Sequence, residues 1–309
     1  MDPVIWFFLL GLLAGLARSD LRLPPAIYEL LSMLLLLTIG LKGGVELAQQ
    51  PFAGVLPQMV AVLAMGVTLP LLLFPVLLYA GRFKRPDAAS IAAHYGSVSV
   101  ATYAVGVAYL GSREVPFEAH MPLFVVLLEM PGLIVGILLA RGISRGMRWG
   151  ALAHEIFLGK SMVLLLGGLL IGWATGPDDM APLEPLFFDL FKGVLALFLL
   201  EMGLIAASQA QSLRQYGLFL VAFGVIVPVP LAAVGTALGW AIGLSPGGST
   251  LLGVLAGSCS YIAAPAAMRI AVPQANPTLS LTVSLGITFP FNIFFGIPLY
   301  HLMANAIHG

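Results

Sequence analysis

The chain has 309 residues, of which 60% are hydrophobic and 9% charged, with 14 basic and 14 acidic side chains that cancel. A soluble domain carries about 25% charged residues, so this composition, with a mean hydropathy of +1.01, excludes a soluble globular protein and marks an all-α integral membrane protein. Cys259 is the only cysteine, which excludes an intrachain disulfide, and no basic face is present for nucleic acid.

A membrane helix needs about 20 predominantly apolar residues. Ten spans follow in order, at 3–17, 26–47, 54–80, 88–110, 118–140, 155–175, 185–207, 213–243, 247–270 and 277–304. The first is short; it lacks a basic n-region and an Ala-x-Ala-like site and is read as a membrane segment. Pro70 and Pro75 in the third span, and Pro228 and Pro230 in the eighth, predict kinks. The fourth span is interrupted by Gly96-Ser97-Val98-Ser99-Val100-Ala101-Thr102. The ninth is interrupted 161 residues later by Gly257-Ser258-Cys259-Ser260-Tyr261. With no water to satisfy an opened backbone, such breaks survive in a bilayer only where protein or a cavity surrounds them. Two of them in corresponding places of two halves point to a transporter's binding site.

The fifth span carries Glu129 in Leu127-Leu128-Glu129-Met130-Pro131-Gly132. An intramembrane carboxylate costs about 2.5–3.5 kcal/mol on insertion scales and is a functional candidate by default. It can ligate a cation or carry a proton; the plainer alternative is a protonated side chain bonded to a neighbouring helix. Glu201 in the seventh span is similar but has no adjacent break. Glu29 and Lys42 lie toward span ends, where snorkelling accounts for them. Ser284, Thr288 and Asn292 in the tenth span read as helix–helix hydrogen bonds, and His94 as a packed histidine.

Eleven of the fourteen Lys and Arg fall on one side of these spans, with Lys42, Arg113 and Lys192 on the other. The positive-inside rule makes the first side cytoplasmic and puts both termini outside, with the acidic Asp178-Asp179 and Glu184 external. The halves echo each other. Pro24-Pro25 followed by Ile39-Gly40-Leu41 has its counterpart in Pro182–Pro185 followed by Met202-Gly203-Leu204, and the proline-bent and broken spans recur at offsets near 160. Five spans per half is an odd number, so the second half sits upside down. The expected organisation is a first repeat at 1–141, a cytoplasmic linker at 142–154 and a second repeat at 155–309.

Inversion brings the two breaks face to face near the midplane. Exposed N–H groups at half-helix N-termini suit a small anion, while hydroxyls and freed carbonyls suit a dehydrated sodium ion. The candidate substrate residues are Ser97, Ser99, Val100, Ala101, Thr102, Ser258, Cys259, Ser260 and Tyr261, and the candidate cation ligands Glu129, Ser99, Thr102 and Ser260. No cofactor is expected beyond sodium as coupling ion. There is no P-loop, no Cys/His cluster with metal spacing, no Gly-x-Ser-x-Gly and no nucleophile–base pair, so neither ATP-driven transport nor an enzyme is expected.

The run Gly257-Ser258-Cys259-Ser260-Tyr261-Ile262-Ala263-Ala264-Pro265, then Met268-Arg269 and Val272-Pro273-Gln274-Ala275-Asn276-Pro277, resembles the sodium-dependent bicarbonate transporter family of bacteria. The break at Gly96–Thr102, the Glu129-Met130-Pro131 turn and Ile39-Gly40-Leu41-Lys42-Gly43-Gly44 match the same family in order. The resemblance implies ten helices in a five-plus-five inverted repeat with core and gate domains. It also implies an often trimeric assembly in the bacterial inner membrane, and sodium-coupled bicarbonate uptake with the anion held between the breaks. The chain departs from the pattern at Val100 and Ala101, where the family has Gly and Ser; at Tyr261, where it has an acidic residue; and at Cys259, where it has Ser. These changes remove oxygen ligands and add bulk, which admits another small carboxylate or inorganic anion, proton coupling, an uncoupled carrier or channel, or a non-transporting anion sensor. The short link Gly142 to His154 replaces a longer insertion that the family associates with a cytoplasmic regulatory partner.

Overall fold

The structure, a computed structural model, describes residues 3–49, 54–141, 150, 154 and 157–309, with only the backbone at 210–216. The expected linker 142–154, with Arg145 and Arg148, lies outside these residues except for Gly150 and His154. All regular structure among the described residues is helical. The helices are α1 (Pro3–Leu16), α2 (Pro25–Ala48), α3 (Leu56–Ala80), α4 (Arg85–Gly96), α5 (Val100–Gly111), α6 (Met121–Glu129) and α7 (Pro131–Arg141). They continue with α8 (Lys160–Leu183), α9 (Phe191–Gln209), α10 (Gly217–Ala241), α11 (Pro246–Ala256), α12 (Ala263–Ala271) and α13 (Pro277–His308). Among the described residues seven stretches are long and apolar enough to cross a membrane, with α6 and α7 counted together and the broken pairs α4–α5 and α11–α12 not among them.

Proline opens α2, α7, α11 and α13, where its missing N–H is one that the first turn leaves unpaired anyway. Ser99, Ser245 and Asn276 cap α5, α11 and α13 by accepting the N–H of Thr102, Gly248 and Thr278. The kink expected in the third span is a wider turn at Val76–Ala80 directly after Pro75. The sixth span runs past its expected end at 175: the chain turns at Gly176 (φ 68°) and continues helically, so Asp178-Asp179 lie on a helical turn rather than in a loop. The seventh span starts later than expected, at Phe191, because Pro185–Asp189 forms a separate turn.

Four helices form one layer through two glycine seams. α1 lies on α9: a Cβ at Gly11 would stand 1.9 Å from the Leu200 carbonyl oxygen, and one at Gly203 2.2 Å from that of Phe8. α2 lies on α8 in the same way, through Gly44 against Leu169 and Gly172 against Leu41. Close backbone approach through small residues is the usual route to helix association in a bilayer, where lipid removes the hydrophobic drive. The remaining helices surround the two broken pairs, with α4 on α7 and α3, and α11 on α10 and α13.

Polar contacts mark two opposite ends. At one, Lys160 at the start of α8 pairs with Glu29 at the start of α2 (3.2 Å). Arg85 Nε at the start of α4 donates to Leu139 O at the end of α7, and Asn276 N–H at the start of α13 donates to Asp87 of α4. At the other end, Gln58 at the start of α3 donates to Ile242 O after α10, and Ser249 of α11 bonds His308 at the end of α13. The first end carries Arg82, Lys84, Arg85, Lys160 and Arg269 and is called the basic face below.

Candidate functional site

The first break is shorter than the sequence motif. Only Ser97, Val98 and Ser99 leave the helix, and Val100, Ala101 and Thr102 already form the first turn of α5. The reason is the Ser99 cap, whose Oγ accepts both the Thr102 N–H (3.1 Å) and the Thr102 hydroxyl (2.8 Å). The second break runs from Gly257 through Ile262. The two cross in contact: Ser99 N–H donates to Ser258 Oγ (3.0 Å), and Ser260 N–H donates to the His94 carbonyl (2.7 Å). Ser258 Oγ in turn donates to Leu255 O, and Ser260 Oγ accepts the Ala264 N–H.

This crossing gathers four half-helix ends. The N-termini of α5 and α12 meet there with their partial positive charge, two of their first-turn N–H groups already capped by Ser99 and Ser260. The C-termini of α4 and α11 bring carbonyls. Their free oxygens are partly engaged, since Asn292 Nδ2 of α13 donates to Gly257 O (2.9 Å) while Asn292 Oδ1 accepts from Tyr300 (2.6 Å). Of the tenth-span polar residues, Asn292 and Thr288 thus make helix–helix bonds, whereas Ser284 Oγ is buried without a partner among the described residues. Thr288 joins Tyr95 to the Gly224 carbonyl, and the Ser284 carbonyl faces Cys259 Sγ at 3.8 Å.

Glu129 ends α6 against the first break. Its carbonyl accepts from Ser97 Oγ (3.1 Å), while its carboxylate, 4% exposed, leaves Oε2 without a partner among the described residues. Tyr261 Oη lies near Ser99 and has no well-formed hydrogen bond either. A buried polar group without a partner costs roughly 1–3 kcal/mol, and a charged one more. Both groups line one small cavity of about 10 Å³ with Val98, Ser99, Val100, Ser161, Ser260 and Ile262. A water molecule needs about 10–15 Å³ by this measure, so the cavity admits a single ion-sized species and not a bicarbonate.

A second cavity of about 200 Å³ adjoins it, sharing Glu129, Ser161 and Ile262 and reaching Lys160 at the basic face. The site therefore communicates with that face. Of the sequence candidates, the small cavity joins Ser99, Val100, Ser260, Tyr261 and Glu129. Ser97, Thr102, Ser258 and Cys259 are buried around it in the bonds given above, and Ala101 is buried on α5. Sequence reasoning missed Ser161, at the start of α8, because a lone serine beside a lysine carries no signal until the fold brings it to Glu129. Glu201 lies elsewhere, beside Tyr28 and the Leu23 backbone.

The chain matches the family described as the Na+-dependent bicarbonate transporter superfamily over residues 3–305, and it belongs to that superfamily. A search of curated proteins returns no match.

Proposed function

We propose, from membership of this superfamily, that the protein is a secondary transporter that couples sodium to the movement of bicarbonate through the crossing of its two breaks. The single observation that carries the reading is Glu129: a buried carboxylate oxygen without a partner, in an ion-sized cavity also lined by Ser99 and Ser260. These are oxygen ligands of the kind a hard cation takes. A cation there satisfies the carboxylate and adds positive charge beside the converging N-termini of α5 and α12, where the anion would bind. Because the cavity is too small for both, the anion enters only with movement of Tyr261 or of the α8 wall at Ser161, so binding and rearrangement are linked.

The packing supports a ten-span inverted repeat. The first helix of one half lies on the second of the other, α1 on α9 and α2 on α8, each through a glycine pair. The acidic or amide braces recur in mirror fashion at opposite faces: Glu118 accepts Ser245 N–H and Oγ at the start of α11, and Asp87 accepts Asn276 N–H beside the start of α4. With the basic face cytoplasmic, both termini lie outside and the larger cavity opens inward.

A second reading, proton in place of sodium, is favoured by the same Glu129 oxygen, since protonation would also relieve it, and by the loss of an acidic ligand at Tyr261. Flux of labelled bicarbonate into proteoliposomes, with imposed sodium or proton gradients, separates the two. Uptake that follows neither gradient would overturn coupled transport.

A further inference from the structure

On the face opposite the basic one lies a cavity of about 310 Å³ between α2, α5, the link before α6 and the turn before α9. It reaches the size of small-molecule sites, roughly 300–1,000 Å³, and is far larger than the cavity at the crossing. Its walls include the rings of Phe117, Phe188, Phe191 and Tyr103. Three donors join them: Thr38 and Tyr103, 5% and 1% exposed, and Lys42, exposed. None of the three side chains hydrogen-bonds or pairs with any described residue. A threonine inside a helix ordinarily returns its hydroxyl to the backbone a turn earlier, as Thr68 and Thr175 do here; Thr38 does not. An aromatic wall with one cation at its rim, one carboxylate a turn further on and two unengaged hydroxyls suits a singly charged anion that carries an apolar body. Glu46, one turn beyond Lys42 on α2, disfavours a second negative charge.

We propose that this cavity is an outer binding site for an apolar monocarboxylate, its carboxylate held by Lys42, Thr38 and Tyr103 and its alkyl or phenyl body against the Phe rings. The site rests on the transporter reading only for its place on the route: Tyr103 is the neighbour of Thr102 on α5, so a ligand here would sit one helix turn from the crossing, on the far side from the Glu129 cavity. It makes an organic monoanion a ligand of the outward path, as cargo or as a plug, in addition to bicarbonate.

Isothermal titration of the purified full chain in detergent, with acetate, propionate, butyrate, hexanoate and benzoate, tests it without transport. Each buried methylene contributes about 0.8 kcal/mol, so affinity should rise about fourfold per added carbon, with benzoate comparable to hexanoate. Lys42→Met should weaken butyrate binding at least tenfold while Lys42→Arg retains it. Thr38→Val and Tyr103→Phe should each weaken it about threefold to tenfold. Binding should be the same with sodium replaced by choline. Affinity independent of chain length, unchanged binding in Lys42→Met, or a requirement for sodium would overturn the site. Tighter binding of neutral amino acids than of butyrate, lost in Glu46→Gln, would overturn the ligand class. Butyrate binding with this pattern in a protein that shows no bicarbonate flux would support the site and reject the transporter reading alone.

Discussion

Gly132→Ala perturbs the crossing without altering any side chain that lines the ion-sized cavity. Gly132 is the second residue of α7, and a Cβ there would stand 2.1 Å from the Gly96 carbonyl carbon, 2.3 Å from its oxygen and 2.5 Å from Ser97 N. Ordinary contact begins at 3.4 Å, so 3.4 − 2.1, or 1.3 Å, of separation must open between α7 and the first break. All three obstructing atoms are backbone, so no side chain can swing aside. A displacement of that size takes the Ser97–Glu129 bond from 3.1 Å to beyond hydrogen-bonding range. The loss is about 1 kcal/mol for the bond and about 1–3 kcal/mol for overpacking. Together that lowers the melting temperature by about 3–6 °C for a chain of this length. Thermal unfolding in detergent should show this shift, and flux in proteoliposomes should fall well below wild type in vesicles matched for protein content. Gly193→Ala is the control, because nothing lies within 4 Å of its added carbon; it should melt and transport as wild type. A Gly132→Ala protein that melts with wild type and keeps its flux would refute the close seating of α7 against the break.

Three further outcomes follow from unsatisfied or shared polar groups. Glu129→Gln should fold as wild type in sodium-free buffer, since the amide keeps the shape of the side chain, yet should lose both sodium-dependent stabilisation and flux; a variant still stabilised by sodium would move the cation elsewhere. Tyr261→Phe should raise stability by about 1–3 kcal/mol by deleting an orphaned hydroxyl while weakening anion-dependent flux, and equal flux in both proteins would make that hydroxyl a bystander. Asn292→Leu orphans the Gly257 carbonyl and the Tyr300 hydroxyl, at about 2–6 kcal/mol together; adding Tyr300→Phe should recover about 1–3 kcal/mol of it, and additive losses in the double variant would contradict the shared bond.

The elements that sequence made legible are those written in bulk hydrophobicity and in residues that break helices. Among the described residues, seven of the ten expected spans coincide with helices long and apolar enough to cross a membrane, and both interruptions fall where Gly and Ser cluster, because an opened backbone needs small residues and hydroxyls whatever lies around it. What local reasoning misjudged was extent. Val100, Ala101 and Thr102 look like part of the break, yet the Ser99 cap restarts the helix at Val100, so that the last three residues of the motif are already helical. Asp178-Asp179 look like a loop, yet Gly176 absorbs the turn and the helix resumes. The site is legible only in part, for a related reason. Glu129 declares itself by the cost of a membrane carboxylate, whereas Ser161 and the Asn292–Gly257 bond depend on contacts 32 or more positions distant in the chain.

The placement of hydrogen bonds indicates where motion would be cheap. The crossing is tied at its centre by Ser99–Ser258 and Ser260–His94, and at its two ends by Glu118–Ser245 and Asp87–Asn276. Moving one break against the other would sacrifice several of these at once, each about 1 kcal/mol or more. Between α8 and the breaks the picture differs. Ser161 and Met162 face Glu129, Ile262 and Ala263 across a cavity rather than through hydrogen bonds, and the α2–α8 and α1–α9 seams hold the four-helix layer together as a unit. On the proposed reading, alternating access is then a shift of that layer past an intact crossing, closing the cavity beside Glu129 as the cavity of about 310 Å³ beside Lys42 widens. Apart from Ser161 of α8, the ion-sized space at Glu129 is walled by the broken helices and the end of α6, so the coupling cation would travel with the crossing and exchange the Ser161 wall as the layer moves.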